Sequence, residues 1–496
     1  MINLSGNFIT FISHFSSDKA ISQLFTTFSN KGISIAQMYR ALLLSLLCLA
    51  NASCAFLTNM FHARMRMSLH ETPSWEELSS ILENESSPAP APMLTLYRDT
   101  NGWCPFCERV WLALEIKGIP YKERLVNLQN KPDWFLDMVP TGLVPAVMLY
   151  DEKEEEASTN TQRTLIWESL DIMKALDEKF PDTERLILDD LPEYKEAEEL
   201  MSQLTSSGFG YIYAERNETL TEEEKFQKKI DFERDLNKFD TLVEKNGGPF
   251  LLGAKVSGID LQIVPAMERW RYQLPLAKDM HIMDGRPNIQ KWFEDGMDKL
   301  PAYADRVAGD EYSWTAVSSY FLKIFMGNGG DPSPASLEAI KRSDEAANAL
   351  TAAFIEGGSN SPSAKSTLKS EEIARLAASK IISNHENIIA DCTSDKPKSQ
   401  TDMKRATSPN SADTALRAIA CQLLNQTKKM KYPDFETPED AMDAALALRT
   451  IAGRLCVPRD MGAPAAAELR KVLSIMANDL EKENEPKLSE TPVMSA

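Results

Sequence analysis

Cys104-Pro105-Phe106-Cys107 constrains the chain most, because of what flanks it. Ahead of it, Met93-Leu-Thr-Leu-Tyr97 reads as a short apolar strand and Arg98 to Trp103 as a loop. Behind it, Val110, Trp111, Leu112, Leu114 and Ile116 recur at helical spacing until Gly118 ends the run. Pro105 suits a first helical turn, where its missing N–H has no partner to lose. Cys104 therefore stands at a helix start, where unpaired N–H groups and the helix dipole favour negative charge. A thiol with a free pKa of about 8.5 ionises more readily in such a place.

The next elements extend the pattern. Tyr121 to Asn127 reads as a second strand, and Val144-Pro145 lies between a Gly142 turn and a strand from Ala146 to Tyr150. Leu165-Ile166-Trp167 is another strand, and Glu168-Ser169 opens a helix whose apolar face is Leu170, Ile172, Met173 and Leu176. The order β-α-β, then β-β-α, is the thioredoxin arrangement, here over residues 93–182.

Two plainer readings of the cysteine pair compete with a reactive thiol. A zinc half-site needs a second half-site, and the other cysteines (48, 54, 392, 421, 456) and the histidines (14, 62, 70, 281, 385) show no such spacing. No metal is expected. An inert buried pair is the other reading, although structural cysteines rarely follow a loop and precede Pro at a helix start. Cysteine is too sparse over 496 residues for a disulfide scaffold. A net charge of −19 with no basic stripe argues against nucleic acid and anionic membrane surfaces as partners.

Residues 1–92 read as a targeting sequence and linker. Ala41 to Ala50 is apolar but too short to span a bilayer, Arg40 precedes it and small residues follow, which gives a signal-like core at 41–55. Met38 would supply a conventional start for that core. Phe56 to His70 carries Arg64 and Arg66 and no acidic residue, as transit peptides do. Ala52-Ser-Cys-Ala-Phe56 resembles the cleavage motif of plastid pre-sequences in secondary-plastid algae, so plastid import is expected, with secretion or a cytoplasmic location as alternatives. Repeated Pro makes 86–92 a linker.

Glu193 to Ser207, Glu222 to Lys245 and Leu261 to Gln273 have helical periodicity, and Ser257-Gly-Ile-Asp260 is a capping box. These place an all-helical domain at 190–320. Phe209, Tyr211, Tyr213, Trp270 and Tyr272 read mostly as core, with a pocket wall as the alternative. Residues 330–490 form an extra helical module after a break at Gly327 to Pro334. Its periodic segments are Leu337 to Ile355, Glu371 to Ile389, Ala412 to Leu424, one starting at Thr437-Pro438, and Ala465 to Leu480. Ser/Lys-rich stretches at 358–370 and 393–411 read as flexible. Cys392, Cys421 and Cys456 read as ordinary thiols, and an interaction or oligomerisation role is inferred from position alone.

The chain resembles the cysteine-type glutathione transferases of the omega and lambda classes. The resemblance rests on Cys104-Pro-Phe-Cys-Glu-Arg109, Leu128-Gln-Asn-Lys-Pro-Asp-Trp-Phe135, Gly142-Leu-Val-Pro145 and Glu168-Ser169, in family order and spacing. It implies an α/β thioredoxin-like domain, then an all-α glutathione-transferase C-terminal domain, with the helical tail as an addition. It also implies that Cys104 forms a mixed disulfide with glutathione, the co-substrate, while Phe106 lines the site. Lys131 would reach a terminal carboxylate, Val144 would pair its backbone with the cysteinyl portion, and Pro145 would be cis. Glu168 would hold the γ-glutamyl ammonium and Ser169 its carboxylate. Alternatively, Lys131 is a surface charge and Ser169 only a cap. The partners would be glutathione and a small-molecule or protein disulfide, with monomer and homodimer both open and no stable membrane insertion of the mature form.

Two departures stand out. These classes usually lack a cysteine at the position of Cys107, so a resolving, glutaredoxin-type dithiol route stays open beside the monothiol one. Asp151 to Gln162 lengthens the connection between two strands. The implied reactions are deglutathionylation and dehydroascorbate reduction; a non-catalytic scaffold is the rival.

Overall fold

The computed structural model describes residues 72–84, 90–150, 163–217, 219–327, 334–355, 366–394, 405–425 and 432–484. The leader features at 38–70, the insertion at 151–162 and much of 86–92, 358–370 and 393–411 lie outside them. The described residues belong to one compact unit.

Four strands make one sheet in the order β2-β1-β3-β4: β1 Leu94–Asp99, β2 Tyr121–Val126, β3 Ala146–Tyr150 and β4 Arg163–Trp167. β1 pairs parallel with β2, and the other pairs are antiparallel. β1 is buried along its whole length, as a central strand must be, while β2 at the edge is largely exposed. Helix α1 Trp75–Asn84 precedes the sheet, and α2 Pro105–Lys117, α3 Asp133–Met138 and α4 Ser169–Lys179 complete the thioredoxin-like layer. β1 runs two residues further than its apolar stretch predicts. Arg98 is tolerated there because its guanidinium meets Glu123 at 2.7 Å and lies 4.2 Å over the Trp111 ring. Asp99 pairs with Val126 in the ladder.

The helical layer contains α5 Pro192–Ile212, α6 Glu222–Lys245, α7 Gly258–Lys278 and α8 Pro287–Lys291, then short π-helical and 3-10-helical turns between Trp292 and Val307. Its core is aromatic. Trp270 meets Phe232 edge-on at 5.0 Å, and Trp292 meets Phe239 at 5.3 Å. α5 and α7 approach so closely that a Cβ on Gly208 would sit 2.2 Å from Trp270. The capping box at the start of α7 is built around buried Asp260. Its carboxylate accepts from the Ser257 amide and hydroxyl, the Leu251 amide and the Trp292 indole at 2.8–3.0 Å. Of the five aromatics read mostly as core, Trp270 and Tyr211 are buried, whereas Phe209 is 40% exposed.

α9 Glu311–Gly327 runs past the boundary expected at 320, because Tyr312, Trp314, Val317 and Leu322 continue an inward face. Beyond it, α10 Pro334–Ile355, α11 Ser370–Cys392, α12 Pro409–Asn425, α13 Pro438–Arg454 and α14 Ala463–Asn484 match the periodic segments. Alanine dominates their core: Ala377, Ala378, Ala415, Ala420, Ala444, Ala445, Ala466 and Ala477 are fully buried.

The reading of 1–92 as targeting sequence and linker needs one correction. Residues 75–84 are a helix belonging to this bundle: Leu78 is fully buried in its core, the Trp75 indole donates to Asp413 at 2.7 Å, and Arg417 bonds the Thr72 carbonyl at 3.0 Å. Trp75, Leu78 and Leu82 recur at helical spacing and supply the apolar face. Among the described residues, no helix is long and apolar enough to cross a membrane.

Candidate functional site

Cys104 caps α2, with extended backbone angles, and its carbonyl accepts the first helical bond from the Glu108 amide at 3.1 Å. The strand before it ends at Asp99, whose Oδ2 accepts from the Trp103 amide at 2.8 Å and closes the connecting loop. The turn passes through Gly102 at a φ of 70°, a conformation that costs glycine little. The Cys104 sulfur is half-buried and lies 3.9 Å from the Val144 carbonyl oxygen.

The sheet register gathers the remaining segments at this end. Tyr97 stands opposite Ala146, and Ala146 opposite Trp167. The peptide bond before Pro145 is cis, as expected, and Val144 is 9% exposed. Glu168 caps α4 at a φ of 72°, in a region non-glycine residues rarely adopt, and its side chain is exposed. Ser169, the first residue of α4, is buried. Lys131 donates to the Gly142 carbonyl at 2.8 Å, which ties its loop to the turn before Val144. Phe106 is 51% exposed beside the cysteine, with the Arg109 guanidinium 5.0 Å over its ring.

The two thiols occupy contrasting environments. A hydrogen bond from Cys107 holds Cys104 below the ordinary thiol range; burial and the Asp99 charge oppose it, and the Cys107 and Phe106 amides assist. Cys107 is 1% exposed, and burial, then its bond to Cys104, push its thiol well above the usual value. Of the two, Cys104 is the sulfur that ionises more readily and Cys107 the one that donates. In the C-terminal bundle burial pushes Cys392 up to about 12 and Cys456 to about 11.

Sequence reading missed several neighbours of Cys104. Glu108 and Arg269 form a buried ion pair at 2.8 Å, and Arg269 also bonds the Trp103 carbonyl at 2.8 Å. Tyr320 and Phe321 of α9 pack against the Trp103 ring at 5.7 and 5.8 Å, and the Tyr320 hydroxyl accepts from Gln129 at 2.8 Å. The Pro458 side chain lies 3.3 Å from where a Cβ on Gly102 would stand. Charged residues inside α2 and α7 were the one available signal for the ion pair; nothing local marks the long-range partners.

Comparison with known proteins gives a consistent picture. A glutathione S-transferase N-terminal domain model matches residues 103–179, and a C-terminal domain model matches 203–303. Glutathione S-transferase DHAR3, chloroplastic, of Arabidopsis thaliana is 31% identical, over 39% of this chain and 65% of that protein. Protein IN2-1 of Zea mays is 31% identical over 46% of this chain and 87% of its own length. Glutathione S-transferase omega-1 of Rattus norvegicus is 29% identical over 43% and 81%. The chain thus spans just under two thirds of the length of that DHAR3 protein.

Proposed function

The chain belongs to the glutathione S-transferase family, and from that premise we propose that it performs glutathione-dependent thiol transfer or reduction through a mixed disulfide on Cys104. The observation that carries this reading is a partly buried thiol, held below its ordinary pKa, at the start of α2 and facing Val144. Conjugation is better served by a hydroxyl that leaves glutathione a free thiolate. A cysteine instead forms disulfides.

In the proposed cycle the Cys104 thiolate attacks the glutathione sulfur of a mixed disulfide. A Cys104–glutathione bond forms as the substrate thiolate leaves. A second glutathione thiolate then displaces Cys104, and oxidised glutathione departs. Val144 would pair its backbone with the cysteinyl part of glutathione and Lys131 would reach a terminal carboxylate. Glu168 and Ser169 would hold the γ-glutamyl end, where helix-start amides that no side chain caps favour an anion. Phe106 would line the approach. Protein–glutathione mixed disulfides are the proposed substrates of this cycle; dehydroascorbate would add the Cys104 thiolate at a carbonyl carbon, and attack of glutathione on that sulfur would release ascorbate and leave the same Cys104–glutathione bond. A plastid is the proposed location, and the word "chloroplastic" in the name of a relative supports it.

Glutathione-dependent reduction of hydroxyethyl disulfide tests the reading. Turnover that disappears in Cys104→Ser is the expected result. Glutathione binding without turnover would make the protein a scaffold instead.

A further inference from the structure

One buried acid beside the thiols has no part in the cycle above. Asp99 is 2% exposed; its Oδ2 is fixed by the Trp103 amide, but its Oδ1 is buried without a hydrogen-bond partner. Leaving such an oxygen unpaired is costly and calls for an explanation. A carboxylate oxygen of Asp99 and the sulfurs of Cys104 and Cys107 lie within 4.8 Å of one another. The charged groups nearby have other partners. Arg98 bonds Glu123 and the Asp99 carbonyl, Glu108 is held by Arg269, and Arg109, whose charge also faces Cys104, bonds the Gln262 carbonyl. The Asp99 carboxylate is therefore turned toward two sulfurs, one of them reactive and the other buried and protonated.

Resting on the reading of Cys104 as the mixed-disulfide thiol, we propose that Asp99 is the proton acceptor that lets Cys107 act as a resolving thiol. Cys107 gives its proton to Asp99, and its thiolate attacks the Cys104 sulfur. The Cys104–Cys107 disulfide forms as the Cys104–glutathione bond breaks. The departing glutathione thiolate recovers the proton from Asp99. Two further glutathione molecules reduce the internal disulfide and leave as oxidised glutathione, which balances electrons and protons. Burial that protects Cys107 from solvent also denies it a water base, so the adjacent carboxylate is its route to ionisation.

The test separates the two half-reactions in the full chain. The reduced protein is mixed with oxidised glutathione, and adduct formation and glutathione release are followed by rapid quench and mass spectrometry from about pH 6 to about pH 9. In wild type, release changes little across neutral pH. In Asp99→Asn, release slows about 10²-fold near neutrality and steepens toward about tenfold per pH unit. Adduct formation is not slowed by that change and quickens on the acid side, because the Asp99 charge opposes Cys104 ionisation. Cys107→Ser forms the adduct and does not release it internally.

A wild-type release rate that climbs about tenfold per pH unit throughout would overturn the proposal without any variant. So would an Asp99→Asn protein with both steps unchanged, or with both slowed alike, as a merely structural role requires. A stoichiometric divalent ion retained by the reduced cluster would also overturn it. If wild type forms no adduct on Cys104, the proposed cycle itself fails rather than this extension of it.

Discussion

The front of the molecule and its C-terminal bundle are built on opposite principles. Around the sheet and α5 to α8, a few large side chains fill the core, and individual residues at loop ends carry chemical meaning: Cys104, Val144, Glu168. In α11 to α14, small residues repeat at helical spacing, which lets helix axes approach closely, and among the described residues no group of metal-ligating side chains gathers there. The front tolerates exposed Phe106 and strained Glu168, features that gather at functional sites. The bundle contains two thiols, Cys392 and Cys456, whose ionisation burial disfavours.

The two regions nevertheless share one surface. Tyr312 bonds the Gly453 carbonyl, Arg470 pairs with Asp310, and the Val457 amide donates to the Ser313 hydroxyl at 2.8 Å. Pro458 reaches the Gly102 turn ahead of Cys104. The bundle is thus part of the wall behind the cysteine loop rather than an appended body.

The sharpest way to break the comparison is to exchange thiols between its halves. Cys104→Ser should lower glutathione-dependent turnover about 10³-fold or more with an unchanged melting temperature. Combined serine replacement of Cys392, Cys421 and Cys456 should leave turnover within about twofold of wild type, since no substrate contact is removed.

The shared surface is tested by Gly462→Ala. A Cβ there would lie 1.9 Å from the Asp305 carbonyl oxygen, so backbone must move. A loss of about 3 kcal/mol is expected in a single cooperative denaturant transition. Two separate transitions would show that bundle and front fold independently.

Glu268 in α7 gives the front a pH dependence. Burial, then the Glu108 charge, pushes its carboxyl up to about 8. A folded-state pKa raised above the unfolded value makes this contribution complete below about pH 4.3 and progressively lost as pH rises toward about 8. Glu268→Gln should flatten that decline by up to about 5 kcal/mol in denaturant unfolding across the window. The smallest effect belongs to the bundle. Ala444→Leu, at a fully buried helix crossing, should cost about 1–2 kcal/mol and leave turnover unchanged.

The two regions also differ in how far they can be read from sequence. Bundle helices announce themselves by period, so Leu337 to Ile355 and Ala465 to Leu480 fall inside α10 and α14. The loop, Cys104, Pro105 and the following apolar run likewise define α2. Arg98 and Asp99 escaped because charged residues rarely end a buried strand; their partners, Glu123 and Trp103, make it possible. Thr72 to Asn84 escaped because its role lies in contacts with Asp413 and Arg417, more than three hundred residues away. Tyr320 and Phe321 at Trp103 escaped for the same reason.

The central claim is that one sulfur is held ionised and accessible. Peptide mapping by mass spectrometry after brief exposure of the reduced protein to oxidised glutathione at neutral pH tests it most directly. The account predicts glutathione on Cys104, or the Cys104–Cys107 disulfide that follows it, with Cys392 and Cys456 unmodified. Modification of those two ahead of Cys104, or no modification at Cys104, would contradict it.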